Sequence, residues 1–258
     1  MEQIRDRLYI ATFSEEAVSV IGEHRLGIEL NDLCISENLD AEKVEQTIAL
    51  IEQEISEAKA DRILIHGPFT EIVPASIDHR AVQLGLDRLD EAYDVCTRLG
   101  VNKLIAHSGY IPLLYFHQWH IEKSVPFWRG FLADKPEDFT LYIENVFEEE
   151  STIMKELIQA IGDTRVKLCL DIGHANAMTA AKWQVTDWIR ELGPYIGHFH
   201  LHNNTGERDD HDPIMEGTMD MEEIFTAIET FCPANVTMTI ESRSCRSSVL
   251  WLKEKGYI

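Results

Sequence analysis

The sequence predicts an α/β protein, a single-domain (β/α)8 TIM barrel, and two observations carry that prediction. Short apolar runs alternate with helical stretches eight times along the 258 residues, which is typical of a parallel sheet covered by helices. The predicted strands are also almost continuously apolar, as strands buried on both faces are. Eight such units in a chain of this length fit a closed barrel better than an open doubly wound sheet. No glycine fingerprint for nucleotide phosphates follows any strand, which further disfavours the open sheet.

Each predicted strand is a short apolar run, rich in β-branched residues and bounded by polar ones. In chain order the strands are RLYIATFS (7–14), RLGIEL (25–30), RILIHGPF (62–69), NKLIAHSG (102–109), TLYIENV (140–146), VKLCLDIGHA (166–175), IGHFHLHN (196–203) and VTMTIESR (236–243). In the seventh strand, histidines alternate with other residues, a period of two that places the imidazoles on one side of the strand.

Each predicted helix repeats apolar residues at the i, i+3 and i+4 spacing of an amphipathic helix. In chain order the helices cover residues 15–23, 41–60, 75–100, 118–132, 149–163, 180–193, 219–231 and 247–256. The third ends at Gly100, a residue type that favours the left-handed conformation after a helix. No low-complexity segment or Pro/Gly-rich linker interrupts the chain, so one domain is predicted over residues 1–258.

The composition is strongly acidic, because 45 Asp and Glu oppose 23 Lys and Arg and leave a net charge of −22. A field of this sign repels phosphate backbones, so nucleic acid and anionic membranes are disfavoured as partners. The excess charge either serves solubility alone or includes a carboxylate cluster that divalent cations neutralise. No apolar run approaches the roughly 18 residues of a membrane span. The N-terminus lacks an apolar signal region, so a cytoplasmic protein is expected.

Five cysteines are scattered through the chain, and no two form a CxxC pair. An odd number without paired spacing disfavours a disulfide framework and a thiolate zinc site. Reduced thiols in or near the core are expected at Cys34, Cys96, Cys169, Cys232 and Cys245.

Six consecutive predicted strands, the third to the eighth, carry histidines or carboxylates at their ends. In strand order these are His66, His107, Glu144, Asp171 with His174, the histidines His198, His200 and His202, and Glu241. The carboxyl ends of barrel strands meet at the face that carries the active site. Any one of these residues could be a hydrogen-bonded core residue, but their joint occurrence favours a metal centre. Such ligands without cysteine suit zinc or manganese, and their number allows one to three divalent ions.

These motifs resemble the xylose isomerase-like barrel superfamily, which includes sugar and sugar-phosphate isomerases and epimerases and the endonuclease IV family. The segments that carry the resemblance are, in order, ILIHGPF, LIAHSG, YIENV, CLDIGHANA, HFHLHNN, DDHDPIMEGTMD and TIESR. The most specific part is the combination of DxGH, HxHxH and a downstream DxH. The resemblance extends over essentially the whole chain and implies a TIM barrel.

The two branches of the superfamily imply different ligand sets. The epimerases imply one metal bound by Glu144, Asp171, His200 and Glu241, with the two glutamates also acting as acid and base. The endonuclease IV family implies a three-zinc cluster. Its nine ligands match His66, His107, Glu144, Asp171, His174, His200, Asp209, His211 and Glu241. Asp209 follows from the family's Asp-x-His spacing, and Asp210 is the competing choice.

The function predicted is a divalent-metal-dependent isomerase or epimerase of a small sugar, sugar phosphate or cyclitol. It acts by proton transfer next to a carbonyl that the metal polarises, with Glu144 and Glu241 as the catalytic pair. The alternative is an endonuclease IV-like multi-zinc phosphoesterase, an AP endonuclease family 2-like hydrolase, acting on a small phosphoester rather than DNA. A catalytically silent metal- or sugar-binding barrel is a third interpretation, which the glutamate pair disfavours.

DNA is disfavoured as substrate by three features of the sequence. Endonuclease IV-like proteins usually read HGPY at the third strand, whereas this chain has Phe69 and lacks that hydroxyl. The loops after the second and seventh strands, NDLCISENLD and NNTGERDDHDP, are acidic. No basic stripe with interleaved aromatic residues is present, although DNA binding depends on neutralising several phosphates.

Further contacts are predicted around the ligands. His202 is predicted to touch substrate. Arg243 is predicted either to hold a substrate oxygen or phosphate or to form a structural ion pair, and Asn145 either to bind a sugar hydroxyl or to orient a ligand. His198, deeper in the barrel, is predicted to be a packed polar residue. The aromatic segment 117–128 is interpreted as a lid on the sugar, as core packing or as a dimer contact. The expected partner is a small carbohydrate, and a homodimer is compatible with the resemblance.

Overall fold

Eight parallel strands close into a barrel in the order β1 to β8, in a computed structural model that describes residues 4–179 and 183–258. The strands are β1 Leu8–Ala11, β2 Gly27–Leu30, β3 Ile63–His66, β4 Lys103–His107, β5 Thr140–Glu144, β6 Val166–Asp171, β7 Ile196–Leu201 and β8 Thr237–Ile240. β1 pairs with both β2 and β8, which completes the ring. The prediction of a single-domain TIM barrel is confirmed.

Helices surround the barrel. They are α1 Ala17–His24, α2 Val44–Ala58, α3 His79–Leu99, α4 His117–Leu132, α5 Ser151–Ile161, α6 Ile172–Met178, α7 Val185–Leu192, α8 Met221–Phe231 and α9 Cys245–Glu254. Gly100 follows α3 with a φ of 68°, as its position in the sequence suggests. The predicted helix 180–193 corresponds to α7, and its first residues, 180–182, lie outside the described residues.

The end of β6 differs from the sequence prediction. The predicted strand 166–175 stops at Asp171, and α6 begins at the next residue. Asp171 caps this helix, because its Oδ1 accepts the backbone N–H of His174 at 2.6 Å. A single side-chain hydrogen bond thus ends the strand and places Asp171 and His174 together at the mouth of the barrel.

Most of the apolar core lies between the barrel and its helices, where Trp128, Trp188 and Phe199 are fully buried. A smaller cluster lies inside the barrel and consists of Tyr9, Leu64, Ile105, Tyr142 and Cys169. Gly27 makes room for it, because a Cβ at this position would overlap the ring of Tyr9. Among the described helices, none is both long and apolar enough to cross a membrane.

All five cysteines are free thiols, as predicted. Cys96, Cys169 and Cys245 are buried, while Cys34 and Cys232 are half-buried. Cys34 lies in the wall of a cavity, beside His66, and is therefore closer to the candidate site than a core thiol would be.

The strand register aligns the candidate ligands. His107 of β4 lies opposite Glu144 of β5, and Asp171 of β6 lies opposite His200 of β7. Because neighbouring strands end at the same height, side chains distant in sequence become direct neighbours at the mouth.

Candidate metal centre and active site

The nine predicted ligands converge at the carboxyl ends of the strands, where they form three adjacent groups. Within each group the ligand atoms lie within 4.8 Å of one another. The first group is His66, His107 and Glu144. The second is Glu144, Asp171, His200 and Glu241. The third is His174, Asp209 and His211, together with His202. Glu144 belongs to the first two groups, and Nε2 of His202 in the third lies 3.0 Å from Oδ1 of Asp171 in the second, so the three form one continuous centre.

The first group shows an imidazole fixed in one tautomer. Nδ1 of His66 lies 2.9 Å from the carbonyl of Gly67, which can only accept, so the ring proton resides on Nδ1. In the neutral ring Nε2 then carries a lone pair and faces Oε2 of Glu144 at 3.1 Å. Nε2 of His107 lies 3.5 Å from the same oxygen. The lone pairs of these nitrogens and of the carboxylate oxygen repel one another. The atoms therefore stay this close only when a proton or a cation lies between them.

In the third group, two histidines are held as His66 is, with Nδ1 bonded to a backbone carbonyl and Nε2 facing a carboxylate. Nδ1 of His174 donates to the carbonyl of Asn145 at 2.9 Å, and Nδ1 of His211 donates to the carbonyl of Glu241 at 2.7 Å. Their Nε2 atoms lie 3.2 and 2.9 Å from Oδ2 of Asp209. The geometry places Asp209, rather than Asp210, between the two rings. Metal-binding histidines are typically oriented by such an outer hydrogen bond.

The second group contains buried polar atoms without partners. Nδ1 of His200 lies 3.0 Å from Oε2 of Glu241, and neither atom has a hydrogen-bond partner among the described residues. The same nitrogen lies 3.3 Å from Glu144 and 3.6 Å from Asp171. Unpaired buried groups of this kind are costly. Nitrogen and carboxylate donors around a common point fit a divalent cation such as zinc or manganese.

The electrostatics favour ionised carboxylates. Burial alone would raise the pKa of Glu144, but the charge of His200 and the hydrogen bonds of His174 and His200 outweigh it and hold that pKa well below the usual range. The pKa of Asp171 is lowered in the same way against its burial, by His174 and His202. Burial lowers the pKa of His107 to about 3, so this ring is neutral and its lone pair is free. In contrast, Asp171 raises the pKa of His174 well above its usual value against its burial, and Asp209 raises that of His211 to about 9. Because cations bind ionised carboxylates and neutral imidazoles, a cation would have to displace a proton from each of these two rings.

Glu29 in β2 belongs to this site, although the sequence reasoning did not select it. Its carboxylate is fully buried, and Oε1 lies 3.2 Å from Nε2 of His200. Oε2 accepts the hydroxyl of Thr239 and lies 3.4 Å from His198. His200 thus directs Nδ1 to the candidate ligands and Nε2 toward a carboxylate whose negative charge raises the basicity of the ring, while Nε2 and Oε1 make no hydrogen bond to any described residue. The signal in the sequence was a lone glutamate inside the apolar strand GIEL.

Replacing Glu29 by Gln is expected to weaken metal binding at the second group by about 10–100-fold, because the amide lacks the charge that supports His200. Competition of the protein with a chelator of known affinity measures this change. Glu148→Gln is the matched control, since Glu148 is also buried but is bound by Ser108 and the backbone N–H of Val146. Equal affinity in the two variants would show that Glu29 has no specific role.

The structure gives His202 and Asn145 protein partners rather than access to substrate. Nε2 of the fully buried His202 lies 3.0 and 3.1 Å from the two oxygens of Asp171. Asn145 donates to the carbonyl of Asp171 at 3.0 Å and accepts its N–H at 2.9 Å. In the described chain, neither lines the cavity above the ligands. Their positions do not support substrate contact; both residues instead hold Asp171.

Arg243 and His198 lie in different environments. Arg243 lines the cavity, and within residues 4–179 and 183–258 its guanidinium has no hydrogen-bond or ion-pair partner. His198 is fully buried, with its ring nitrogens 2.7 Å from the hydroxyl of Thr237 and 2.9 Å from that of Thr239. Burial lowers the pKa of His198 to about 4, which keeps it neutral.

The aromatic segment 117–128 lies in α4. Phe127 and Trp128 are buried in the core, and Trp119 donates its indole N–H to the carbonyl of Ala75 at 2.9 Å. None of the three borders the cavity in the part of the chain that the structure describes. Core packing is therefore the correct interpretation for Phe127 and Trp128, and the lid is not.

A cavity of about 920 Å³ opens above the centre. Glu144 and Glu241 reach it from below, and so do His66, His107, His174 and His211. The ligand groups therefore lie at the floor of a cleft large enough for a small molecule. Carboxylates of the centre can meet a bound compound directly.

A sequence profile described as xylose isomerase-like TIM barrel matches residues 24–255. The chain belongs to this family. Among the sequence relatives of this xylose isomerase-like barrel is an uncharacterized protein of Methanocaldococcus jannaschii, 26% identical over 200 residues. The match covers 72% of the chain and 66% of that protein, just under two thirds of its length. A probable endonuclease 4 of Mycobacterium leprae is 24% identical over 212 residues, covering 78% and 82%.

Solved structures share the fold of this xylose isomerase-like barrel. A D-tagatose 3-epimerase-like protein superposes with a TM-score of 0.76 at 20% identity, covering 96% of both chains. A Thermus thermophilus protein soaked with zinc chloride superposes with a TM-score of 0.77 at 20% identity, covering 97% and 98%. At this identity the likeness establishes the architecture. The matched proteins thus include one described as D-tagatose 3-epimerase-like and one named a probable endonuclease 4.

Proposed function

We propose that this chain is a divalent-metal-dependent isomerase or epimerase of a small sugar, sugar phosphate or cyclitol. The observation that carries the proposal is the placement of Glu144 and Glu241, which share the second ligand group and both reach the cavity floor. Metal binding alone does not need two glutamates open to a substrate. The structural likeness to an epimerase-like protein supports the same reaction class.

The ligand groups fit one to three zinc or manganese ions. A bound ion would supply Lewis acidity toward a carbonyl and an adjacent hydroxyl of the substrate. One of Glu144 and Glu241 removes the proton from the carbon next to the carbonyl, and the other returns a proton. Return to the opposite face of the same carbon gives epimerisation, and return to the neighbouring carbon gives isomerisation. Arg243 is placed to hold a substrate oxygen or phosphate.

A phosphoesterase is the second candidate, because the structure brings together all nine residues that match the endonuclease IV pattern. The likeness to a probable endonuclease 4 favours the same chemistry. Duplex DNA fits the cavity poorly, however. Arg208 and Arg243 are the permanently charged cations among the described residues that line it, whereas duplex binding uses many phosphate contacts. A small phosphoester is therefore the better substrate for this candidate.

Proton exchange in D₂O distinguishes the two candidates. Zinc- or manganese-loaded protein is incubated with a panel of ketoses, aldoses and cyclitols, with and without phosphate, and the α-proton is followed by NMR. The proposal expects exchange with at least one compound, together with formation of its epimer or isomer. Hydrolysis of bis(p-nitrophenyl) phosphate or of an abasic duplex, without exchange in any sugar, would overturn it. The predicted cytoplasmic location and homodimer remain predictions.

A further inference from the structure

We propose that the substrate carries a large apolar or aromatic group next to the atoms that bind the metal. This inference rests on the proposed function and narrows its substrate class. It follows from an apolar wall on one side of the cavity, defined here as the side chains of Phe13, Ile35, Phe69, Ile111 and Phe147. The wall is built by the loops that follow the first five strands.

The apolar wall is unusually open to solvent. The exposed fractions are 46% for Phe13, 60% for Ile35, 37% for Phe69 and 45% for Phe147. Single exposed apolar residues are ordinary, but four on four different loops around one cavity form a patch. Patches of this kind mark protein or membrane interaction surfaces or ligand-binding grooves, and the position of this one in the cavity wall favours a ligand. In contrast, the loops after β7 and β8 contribute charged residues, including Arg208 and Arg243.

The apolar wall begins at the metal ligands themselves. The ring of Phe69 stacks on the imidazole of His107, with centroids 4.8 Å apart and an angle of 24°. Phe13 packs edge-on against His211 at 5.7 Å. An apolar group resting on this wall is therefore adjacent to the centre rather than at a remote subsite. Phe69 also lacks the hydroxyl that tyrosine would place there, which leaves the wall apolar at this point.

The size of the cavity supports a substrate larger than a simple sugar. Pockets that bury drug-sized ligands have volumes of about 300–1,000 Å³, and this cavity measures about 920 Å³. A polar monosaccharide would also leave the apolar wall in water. An aromatic or alicyclic substituent would fill the remaining volume and cover the wall, which is favourable in water.

Binding of hydroxamates to the zinc-loaded full-length protein tests the inference, because a hydroxamate chelates metal whatever its substituent. Isothermal titration calorimetry compares acetohydroxamate, benzohydroxamate and D-gluconohydroxamate, whose substituents are a methyl group, a phenyl ring and a polyol chain. We expect benzohydroxamate to bind about tenfold or more tightly than either of the others, since burial of a ring of this size contributes that much.

Two variants test whether the tighter binding of benzohydroxamate comes from the apolar wall. Ile35→Ala and Phe147→Ala are expected to remove most of the advantage of benzohydroxamate and to leave acetohydroxamate binding unchanged. Both side chains are more than a third exposed, so folding should persist, and circular dichroism checks it. Phe116→Ala is the matched control, because Phe116 is 86% exposed and lies outside the cavity lining of the described chain.

The outcomes separate this inference from the proposed function. Binding of acetohydroxamate without any gain for benzohydroxamate would overturn the inference and leave the metal centre intact. The inference also fails if D-gluconohydroxamate binds tightest, or if Phe116→Ala loses the gain as much as the wall variants do. Failure of all three compounds to bind protein whose zinc content has been verified would show that the ions are closed to ligands, which would overturn the proposed function and the inference with it.

Discussion

Glu241→Gln is expected to slow α-proton exchange by about 10²–10⁴-fold, the usual contribution of a general acid or base. Glutamine keeps the shape of the side chain but cannot take up the proton. Glu241 is suited to this role because it reaches the cavity and its Oε2 lies 3.0 Å from His200, without a hydrogen bond to any described residue. The rate of exchange in D₂O, followed by NMR on the best substrate, measures the effect.

Two controls accompany this variant. Because Glu241 is also a candidate ligand, the metal content of the variant is measured in parallel, so that loss of metal is distinguished from loss of the base. Asp210→Asn removes a carboxylate from the same rim without touching any ligand group, and it should retain nearly full activity. Near-normal exchange by Glu241→Gln with its metal bound would exclude Glu241 as acid or base.

Zinc added to chelator-treated protein is expected to raise Tm by about 10 °C. A ligand that binds only the folded state contributes about 4 kcal/mol at a free concentration of 1,000 Kd. In a protein of this size, each kcal/mol shifts Tm by about 2–4 °C. The buried carboxylates of Glu144 and Asp171 are the groups that the ion would neutralise. Calorimetry before and after zinc addition measures the shift.

Calcium is the matched control for this measurement. It prefers six to eight oxygen ligands, whereas the three groups here are rich in imidazole. Calcium at the same concentration should therefore produce a much smaller shift. An unchanged Tm with zinc, or equal shifts with both ions, would contradict the metal centre.

Much of the centre was predictable because its residues follow a local rule. In a parallel barrel the strand ends share one face, so residues such as His66, His107 and Glu144 could be assigned to it from strand boundaries alone. The family resemblance supplied Asp209 and His211, which lie in a loop without periodicity. The alternation of the three histidines identified β7 and its inward side. It did not reveal which histidine faces the candidate ligand carboxylates and which faces threonine hydroxyls.

The features that could not be predicted from the sequence depend on contacts between residues far apart in the chain. Glu29 acts on His200 and Thr239 across the barrel, and no local pattern links β2 with β7 and β8. Asn145 and His202 point toward the mouth, but the atoms that they meet belong to Asp171. The early end of β6 follows from a capping hydrogen bond, which outweighed the strand preference of the apolar run. These outcomes depend on tertiary contacts rather than on sequence periodicity.

The carboxylate of Glu144 would couple the binding of one metal ion to the binding of the next. Its Oε2 faces His66 and His107, while its Oε1 faces His200 at 3.3 Å. A cation at the first group would draw charge from the shared carboxylate and lower its proton affinity. Occupancy of one group thereby sets the base strength available at the next, and the ions would bind with coupled rather than independent affinities.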